Sequence, residues 1–323
     1  MTVSRFWRAA AAALLLSTTG AMAQTFPEKT VKIVVPQPPG GGFDATARII
    51  ADRMQAHLGQ PVVVENRPGA GTLVGTEFVA KAPADGYTLL LGGISNMAFN
   101  SGLYPKLSYD PVRDFLPVNM IVSWPYMFIT RKDMQLGSLK EIIDYARANP
   151  GKLTYASGGR GTGQHLAAAV LAHLAKVELV HVPYSGAQPA YQDLLGGRID
   201  IFFDNSSTAL PQVRAGNVKA FAISTARRYA PAADLPTVKE TGVADMDMDS
   251  WFGLFAPRAT PPEALGKLRE ALGKVLADPA VAELFGKSGG LMAKTTPAEA
   301  EAFVKKEAEY WAPLIQKAGV TAE

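Results

Sequence analysis

Val31-Lys32-Ile33-Val34-Val35 leads straight into Pro36-Gln37-Pro38-Pro39-Gly40-Gly41-Gly42-Phe43-Asp44, and a helical pattern follows over residues 44–58. The apolar run lacks polar alternation, as expected of a strand covered on both faces. Working outward, residues 62–64, 89–91 and 119–122 read as further strands, with a helix over 72–81. Strands separated by helices predict an α/β fold built on parallel sheet with crossover helices.

A second series starts after Pro125. Residues 126–130, 153–157, 179–183, 201–204 and 219–224 read as strands, and 164–176 and 189–195 as helices. Ser138-Leu139-Lys140-Glu141 has the form of a capping box, which opens a helix running to Asn149 before Pro150-Gly151. The tail reads as helical. Thr260-Pro-Pro-Glu263 and Thr296-Pro-Ala-Glu299 each put Thr at the N-cap, Pro at the first helical position and Glu at the third. Phe303, Tyr310, Trp311 and Leu314 are expected on one packing face of the last helix.

A chain of 323 residues is long for one core. The segment after Trp251 is too thin to stand alone, so it is expected to pack back on the first half. The chain would then cross between two α/β lobes near residues 125 and 250, through a two-strand hinge. That assigns 24–125 plus 250–323 to the first lobe and 126–249 to the second, with a ligand cleft between them.

Residues 1–23 read as a signal peptide: Arg5 and Arg8, an apolar run over 9–16, then Ala21-Met22-Ala23. The run is far shorter than the ~20 residues a membrane span needs. Export to the periplasm argues against cofactors such as NAD or ATP, which lack a supply there, and no cofactor is expected. With no cysteine there are no disulfides, thiol nucleophiles or Cys-type metal sites, and no metal is expected. The net charge of +3 falls to +1 once Arg5 and Arg8 leave with the leader. Such a balance gives no nucleic-acid or membrane footprint, and a monomer is expected.

Five loops follow candidate strands and so fall at the carboxyl edge of a sheet, where such folds bind ligands. The Gly40-Gly41-Gly42-Phe43-Asp44 loop opens a helix whose free amides suit an anion, with Asp44 as the expected N-cap. Ser157-Gly158-Gly159-Arg160-Gly161-Thr162-Gly163-Gln164-His165 superficially resembles a phosphate loop. However, Gln164 and His165 stand where Lys and Ser/Thr are required. It remains rich in donors: loop amides, Ser157, Arg160, Thr162, with His165 as a further donor. The other three loops contain Ser95 and Asn96; Tyr184, Gly186 and Ala187; and Asp204 and Asn205.

Catalysis is disfavoured. No G-x-S-x-G elbow occurs, and the four histidines (His57, His165, His173, His181) form no HExxH pair.

At these loops the chain resembles the Bug family, the substrate-binding components of tripartite tricarboxylate transporters. The resemblance runs from about Pro27 to Val320. It rests on Pro38-Pro39-Gly40-Gly41-Gly42-x-Asp44, on Gly59-Gln60-Pro61-Val62-Val63-Val64-Glu65-Asn66-Arg67-Pro68-Gly69-Ala70-Gly71 and on Asp85-Gly86-Tyr87-Thr88-Leu89-Leu90. Leu103-Tyr104-Pro105-Lys106-Leu107, the 157–165 loop, His181-Val182-Pro183-Tyr184-x-Gly186, Asp193-Leu194-Leu195-Gly196-Gly197 and Leu235-Pro236-Thr237-Val238 add to it. It implies a type II periplasmic-binding fold, a carboxylate clasped by the loops at 40–44 and 157–162, and membrane permease subunits as partners. Gln37, Phe43, Trp124 and Arg160 depart from the family's usual residues. Phe43 and Trp124 would line the cleft or, for Trp124, pack in the hinge. Arg160 would pair with a second carboxylate or point to solvent. The alternatives to transport are a sensor acting on a membrane histidine kinase and an exported hydrolase.

Overall fold

The computed structural model describes residues 26–320, so the leader expected over 1–23 lies outside the described residues. Strands β1 (Val31–Val35), β2 (Val62–Asn66) and β3 (Thr88–Gly93) are parallel, in the order β2-β1-β3. Helices α1 (Gly42–Leu58) and α2 (Leu73–Ala80) make the crossovers. The buried side of α1 presents Phe43, Ala47, Ile50, Ala51 and Met54 to the sheet. A turn at Ser95–Phe99 and a short helix α3 (Asn100–Leu103) follow β3.

The next strand differs from expectation. The two runs expected at 119–122 and 126–130 are one 17-residue strand, β4 (Phe115–Arg131), which passes through Pro125 without a break. Its first part pairs antiparallel with β9 (Asp249–Pro257), and register shifts near Pro117 and Met120 absorb the irregularity. Its second part pairs antiparallel with β7 (Ile201–Asn205) and β8 (Val218–Ile223). The sheet is therefore mixed rather than parallel. A strand shared by two lobes leads out of one and into the other, and its return partner must run the opposite way.

The second lobe repeats the crossover logic. Strands β5 (Thr154–Ser157) and β6 (Val180–Pro183) are parallel to each other, and β5 is parallel to β7. Helices α4 (Leu139–Ala148), α5 (Gly163–Ala175), α6 (Ala187–Leu195) and α7 (Ser206–Arg214) connect them. Helix α7 was not anticipated from sequence; Pro211 inside it obscures the helical pattern.

After β9 come α8 (Pro262–Ala277), α9 (Pro279–Lys287), the short strand β10 (Leu291–Met292) and α10 (Pro297–Lys317). Thr296 and Glu299 form the expected capping box. The N-cap of α8 is Pro261 instead of Thr260, because the helix starts one residue later than predicted. On α10 the buried stripe is Ala300, Val304, Ala308, Trp311 and Ile315, while Tyr310 is 57% exposed and leaves the packing face. The Trp311 ring meets Phe99 edge-on at 5.2 Å, so the tail lies against the turn after β3. Glu307 accepts the indole N–H groups of Trp251 (2.9 Å) and Trp311 (3.1 Å), which ties β9 to α10.

Ser224 holds the crossing strands together. Its Oγ accepts from Tyr126 N at 2.8 Å and donates to Met248 O, and its own N–H and C=O bond Tyr126 O and Met248 N. All of this is buried. Ser224→Ala is expected to lower the unfolding free energy by about 1–3 kcal/mol, the cost of leaving buried polar groups unpaired. Urea denaturation measures it; a loss below about 0.5 kcal/mol would mean that water replaces the hydroxyl.

Candidate functional site

Strands β1, β5 and β6 each end in a loop that opens a helix, α1, α5 and α6 respectively, and β7 runs directly into α7. All four helix N-termini line one cavity of about 120 Å³. The first contributes Gly40, Gly41, Gly42 and Phe43; the second Gly158, Gly163 and Gln164; the third Gly186, Ala187 and Pro189; the fourth Asn205 and Thr208. Ser95, Tyr126, Ser250 and Phe252 complete it from the turn after β3 and from the two crossing strands. The two lobes touch beside it. A Cβ added to Gly42 would stand 3.7 Å from Ser207 Oγ, and one on Gly71 would strike Arg160 O at 2.5 Å.

A helix N-terminus leaves its first amides without intrahelical partners and carries roughly half a positive charge. Four of them around one space place a positive field on it. Among the described residues that line the cavity there is no Lys, Arg, Asp or Glu. The Tyr126 phenol, pushed up by burial, stays protonated and meets Ser250. Asn205 uses Oδ1 to cap α7 at Ser207 N (2.9 Å), which leaves its Nδ2 as a donor.

Not every residue expected at the site faces it. Asp44 is not the N-cap of α1; Gly41 is. Asp44 folds back instead, accepting from Gly40 N and Arg48 Nε at 3.0 Å each and from Asn66 Nδ2 at 3.0 Å. Burial pushes its carboxyl up, but these hydrogen bonds and the Arg48 charge outweigh burial and hold it below the ordinary value. Its work is to stiffen the glycine loop. Asn96 is fully internal, bonded to Gly93 N and Thr76 Oγ1. Tyr184 donates to Asp193 at 2.7 Å, away from the cavity. Asp204 is completely buried and receives Gln164, Tyr191 and Thr208.

The second loop is likewise held from within. Thr162 donates to Gly159 O at 2.7 Å and caps α5 through His165 N, so its hydroxyl proton does not face the cavity. Ser157 Oγ meets His181 Nε2 at 2.7 Å, and Gly161 N donates to His165 Nδ1 at 3.2 Å. Arg160 is exposed and lines a second, larger chamber of about 640 Å³ beside the first. Phe43 packs edge-on against Phe252 at 4.6 Å, and Trp124 packs on Phe252 and Phe285 at the crossing strands. Sequence reasoning missed Gln164, Thr208, Tyr126 and Ser250. The signal for the first was present: Gln164 is the second residue of a helix that follows a glycine loop.

His165 and His181 stack face to face at 4.0 Å, with Tyr155 stacked on His181 at 4.8 Å. Burial, then the charges of His181 and Arg160, lower His165 to about 3. Burial and Arg160 lower His181 to about 4. Both rings are neutral under the loop they support.

Two lobes on two shared strands, closing over a cavity lined by helix N-termini, define a solute-binding protein. The chain matches the Tripartite tricarboxylate transporter family receptor profile, TctC, over residues 46–320, and it belongs to that family. Protein BugT of Bordetella pertussis is 35% identical over 92% of this chain and 91% of its own. Periplasmic binding protein BugD has a TM-score of 0.85 at 36% identity, over 92% of this chain and 99% of that one. Rpa4515 of R. palustris with adipate gives 0.86 at 33% identity, over 92% and 99%. MatC from Rhodopseudomonas palustris with bound malate gives 0.85 at 34% identity, over 90% and 100%. The family is one of periplasmic solute receptors.

The lowered histidines predict a pH dependence. An unfolded histidine titrates near 6.5. Between that pH and the folded values of about 4 and about 3, the unfolded chain binds more protons, so stability is lost as pH falls. Asp249, raised to about 7 by burial and by Asp247 and Glu307, acts in the opposite direction over the interval from the ordinary carboxylate value up to about 7, and so opposes the histidines in the same window. Denaturant titrations between pH 4 and 6.5 should give a slope of stability against pH that is more positive in the wild-type protein than in His165→Gln/His181→Gln, whatever the sign of the total. Parallel slopes in the two proteins would remove the stacked pair as the source.

Proposed function

We propose that this chain captures a small carboxylate in the four-helix cavity, in the periplasm and without chemical turnover. It then hands the ligand to the membrane subunits of a tripartite tricarboxylate transporter. The observation that carries the reading is the meeting of four helix N-termini on a space free of charged side chains, among the described residues. Fixed dipoles and amides neutralise the anion, and no buried cation competes for it when it leaves. Adipate and malate in related proteins support a carboxylate.

In this reading the lobes are 24–125 plus 250–323 and 126–249. They close about the crossing strands where Pro125 pairs with Asp249. Tyr126 and Ser250 lie one residue from that pair and line the cavity, so ligand contact acts on the hinge directly. No helix among the described residues is long and apolar enough to cross a membrane.

A thermal-shift screen of mono- and dicarboxylates tests the proposal. Ligand at 100 times its dissociation constant should add about 2.7 kcal/mol of stability. The recovered ligand should be chemically unchanged after prolonged incubation. A panel without any stabilising carboxylate, or product that accumulates beyond stoichiometry, would overturn it.

A further inference from the structure

The turn Gly69-Ala70-Gly71-Thr72 passes through four consecutive residues at positive φ: 144°, 44°, 63° and 109°. Two of them carry side chains, and Thr72 is β-branched, the kind of residue this region tolerates least. Such backbone persists only where its surroundings over-determine it. Here the hydrogen-bond partners lie within residues 69–104. Tyr104 OH donates to Ala70 O at 2.7 Å, Asn100 Nδ2 to Thr72 Oγ1 at 3.2 Å and Thr76 Oγ1 to Thr72 O at 2.8 Å. Thr72 N donates to Gly69 O at 3.1 Å. Thr72 itself is buried. The first lobe thus shapes the turn from its own residues.

What the turn presents outward is Gly71. A Cβ built there would stand 2.5 Å from Arg160 O and 3.3 Å from Gly161 Cα. A Cα hydrogen of Gly71 therefore points at the Arg160 carbonyl, as in a weak Cα–H···O contact. The facing turn is also fixed from within. Gly159 and Gly161 have φ of 131° and 74°, Gly161 N donates to His165 Nδ1 at 3.2 Å, and Thr162 N donates to Gly159 O at 3.3 Å. Leu103 flanks the contact, its Cδ1 3.4 Å from where a Cβ of Gly161 would stand. Two preformed turns, one from each lobe, meet backbone to backbone with room for a hydrogen and no more.

The 157–163 loop supplies Gly158 and Gly163 to the 120 Å³ cavity, whereas neither Gly71 nor Arg160 lines it. One side of the loop faces the solute space and the other rests on the first lobe. We propose that Gly71 is a closing seat: the Arg160 carbonyl comes to rest on it when the lobes meet, and the residue at 71 sets solute affinity without touching the solute. This rests on the receptor reading, in which the lobes hinge at the crossing strands. Where one conformation holds the solute, apparent affinity falls in proportion to the population of that conformation. A side chain at 71 would clash with Arg160 in the seated form and lower that population.

Gly59 provides the control. It sits at φ 68°, ψ 11°, against 63° and 20° at Gly71, and a Cβ there meets nothing within 4 Å. Gly59→Ala and Gly71→Ala share the backbone cost of a left-handed alanine, and only the second adds the clash. In calorimetry with malate and adipate, Gly71→Ala should weaken whichever binds the wild-type protein at least fivefold, and Gly59→Ala less than twofold. The chain has no cysteine, so Lys106→Cys with His173→Cys places one spin label on an exposed site of each lobe. Without solute, the shortest label-to-label distances of the wild-type protein should be missing in Gly71→Ala and kept in Gly59→Ala. Gly71→Asn, whose side chain is tolerated in left-handed backbone, repeats both measurements if Gly71→Ala fails to fold. A loss below fivefold in the residue-71 variant, or an equal loss in Gly59→Ala, overturns the inference and leaves the carboxylate reading intact. If neither malate nor adipate binds, the distances decide, and an unchanged distribution overturns the seat. Failure of every carboxylate in the thermal-shift screen overturns the receptor reading separately.

Discussion

The structure depends on how two strands are shared. β4 and β9 run antiparallel to each other along the inner edges of the lobes, and β4 continues as a central strand of the second. Around this pair each lobe stacks parallel strands whose carboxyl ends lead into helices. In such a sheet the helix N-termini collect at one edge, which is where open α/β folds bind ligands. Joining two lobes through a common strand pair turns the two edges toward each other. The cavity lined by helix N-termini follows from that arrangement, and none of its described lining residues is a lysine or arginine.

Most of the polar chemistry near the cavity is spent on shape. Asp44 bonds its own loop, Thr162 closes the turn before α5, and Ser157 with the stacked histidines braces the second loop from behind. Such bonds contribute roughly 1 kcal/mol each to stability, and more where a charge takes part. Their larger consequence is preorganisation: amides already fixed in position do not have to be ordered when the ligand arrives. The tail contributes in the same spirit. Glu307 links β9 to α10 through two indoles, so the strand that carries Ser250 and Phe252 is anchored at both faces.

Asp204 exemplifies a residue whose role is visible only through its partners. As an acidic residue after a strand it resembles a ligand group. Fully buried and saturated by donors, it braces Gln164, Tyr191 and Thr208. The same holds for Tyr126 and Ser250, which join the cavity to the crossing strands.

The sequence by itself determined the fold class, the strand-loop-helix order and the glycine loops at 40–42 and 158–163. Apolar periodicity and the Gly/Pro pattern are local, and both are printed in the chain. The Bug-type motifs were legible for the same reason, since they lie in those loops. Tertiary structure alone decided that 115–131 is one strand, because pairing with β9, β7 and β8 carries the backbone through Pro125. It also decided the direction of each polar side chain. Thr162, Asn96 and Tyr184 turn inward because a backbone or side-chain partner lies within hydrogen-bond reach on a neighbouring element or turn. Gln164 turns its amide nitrogen to Asp204, forty residues away in sequence, and the Thr208 hydroxyl meets the same carboxylate. A hydrogen bond is decided by distances between segments that sequence spacing does not encode.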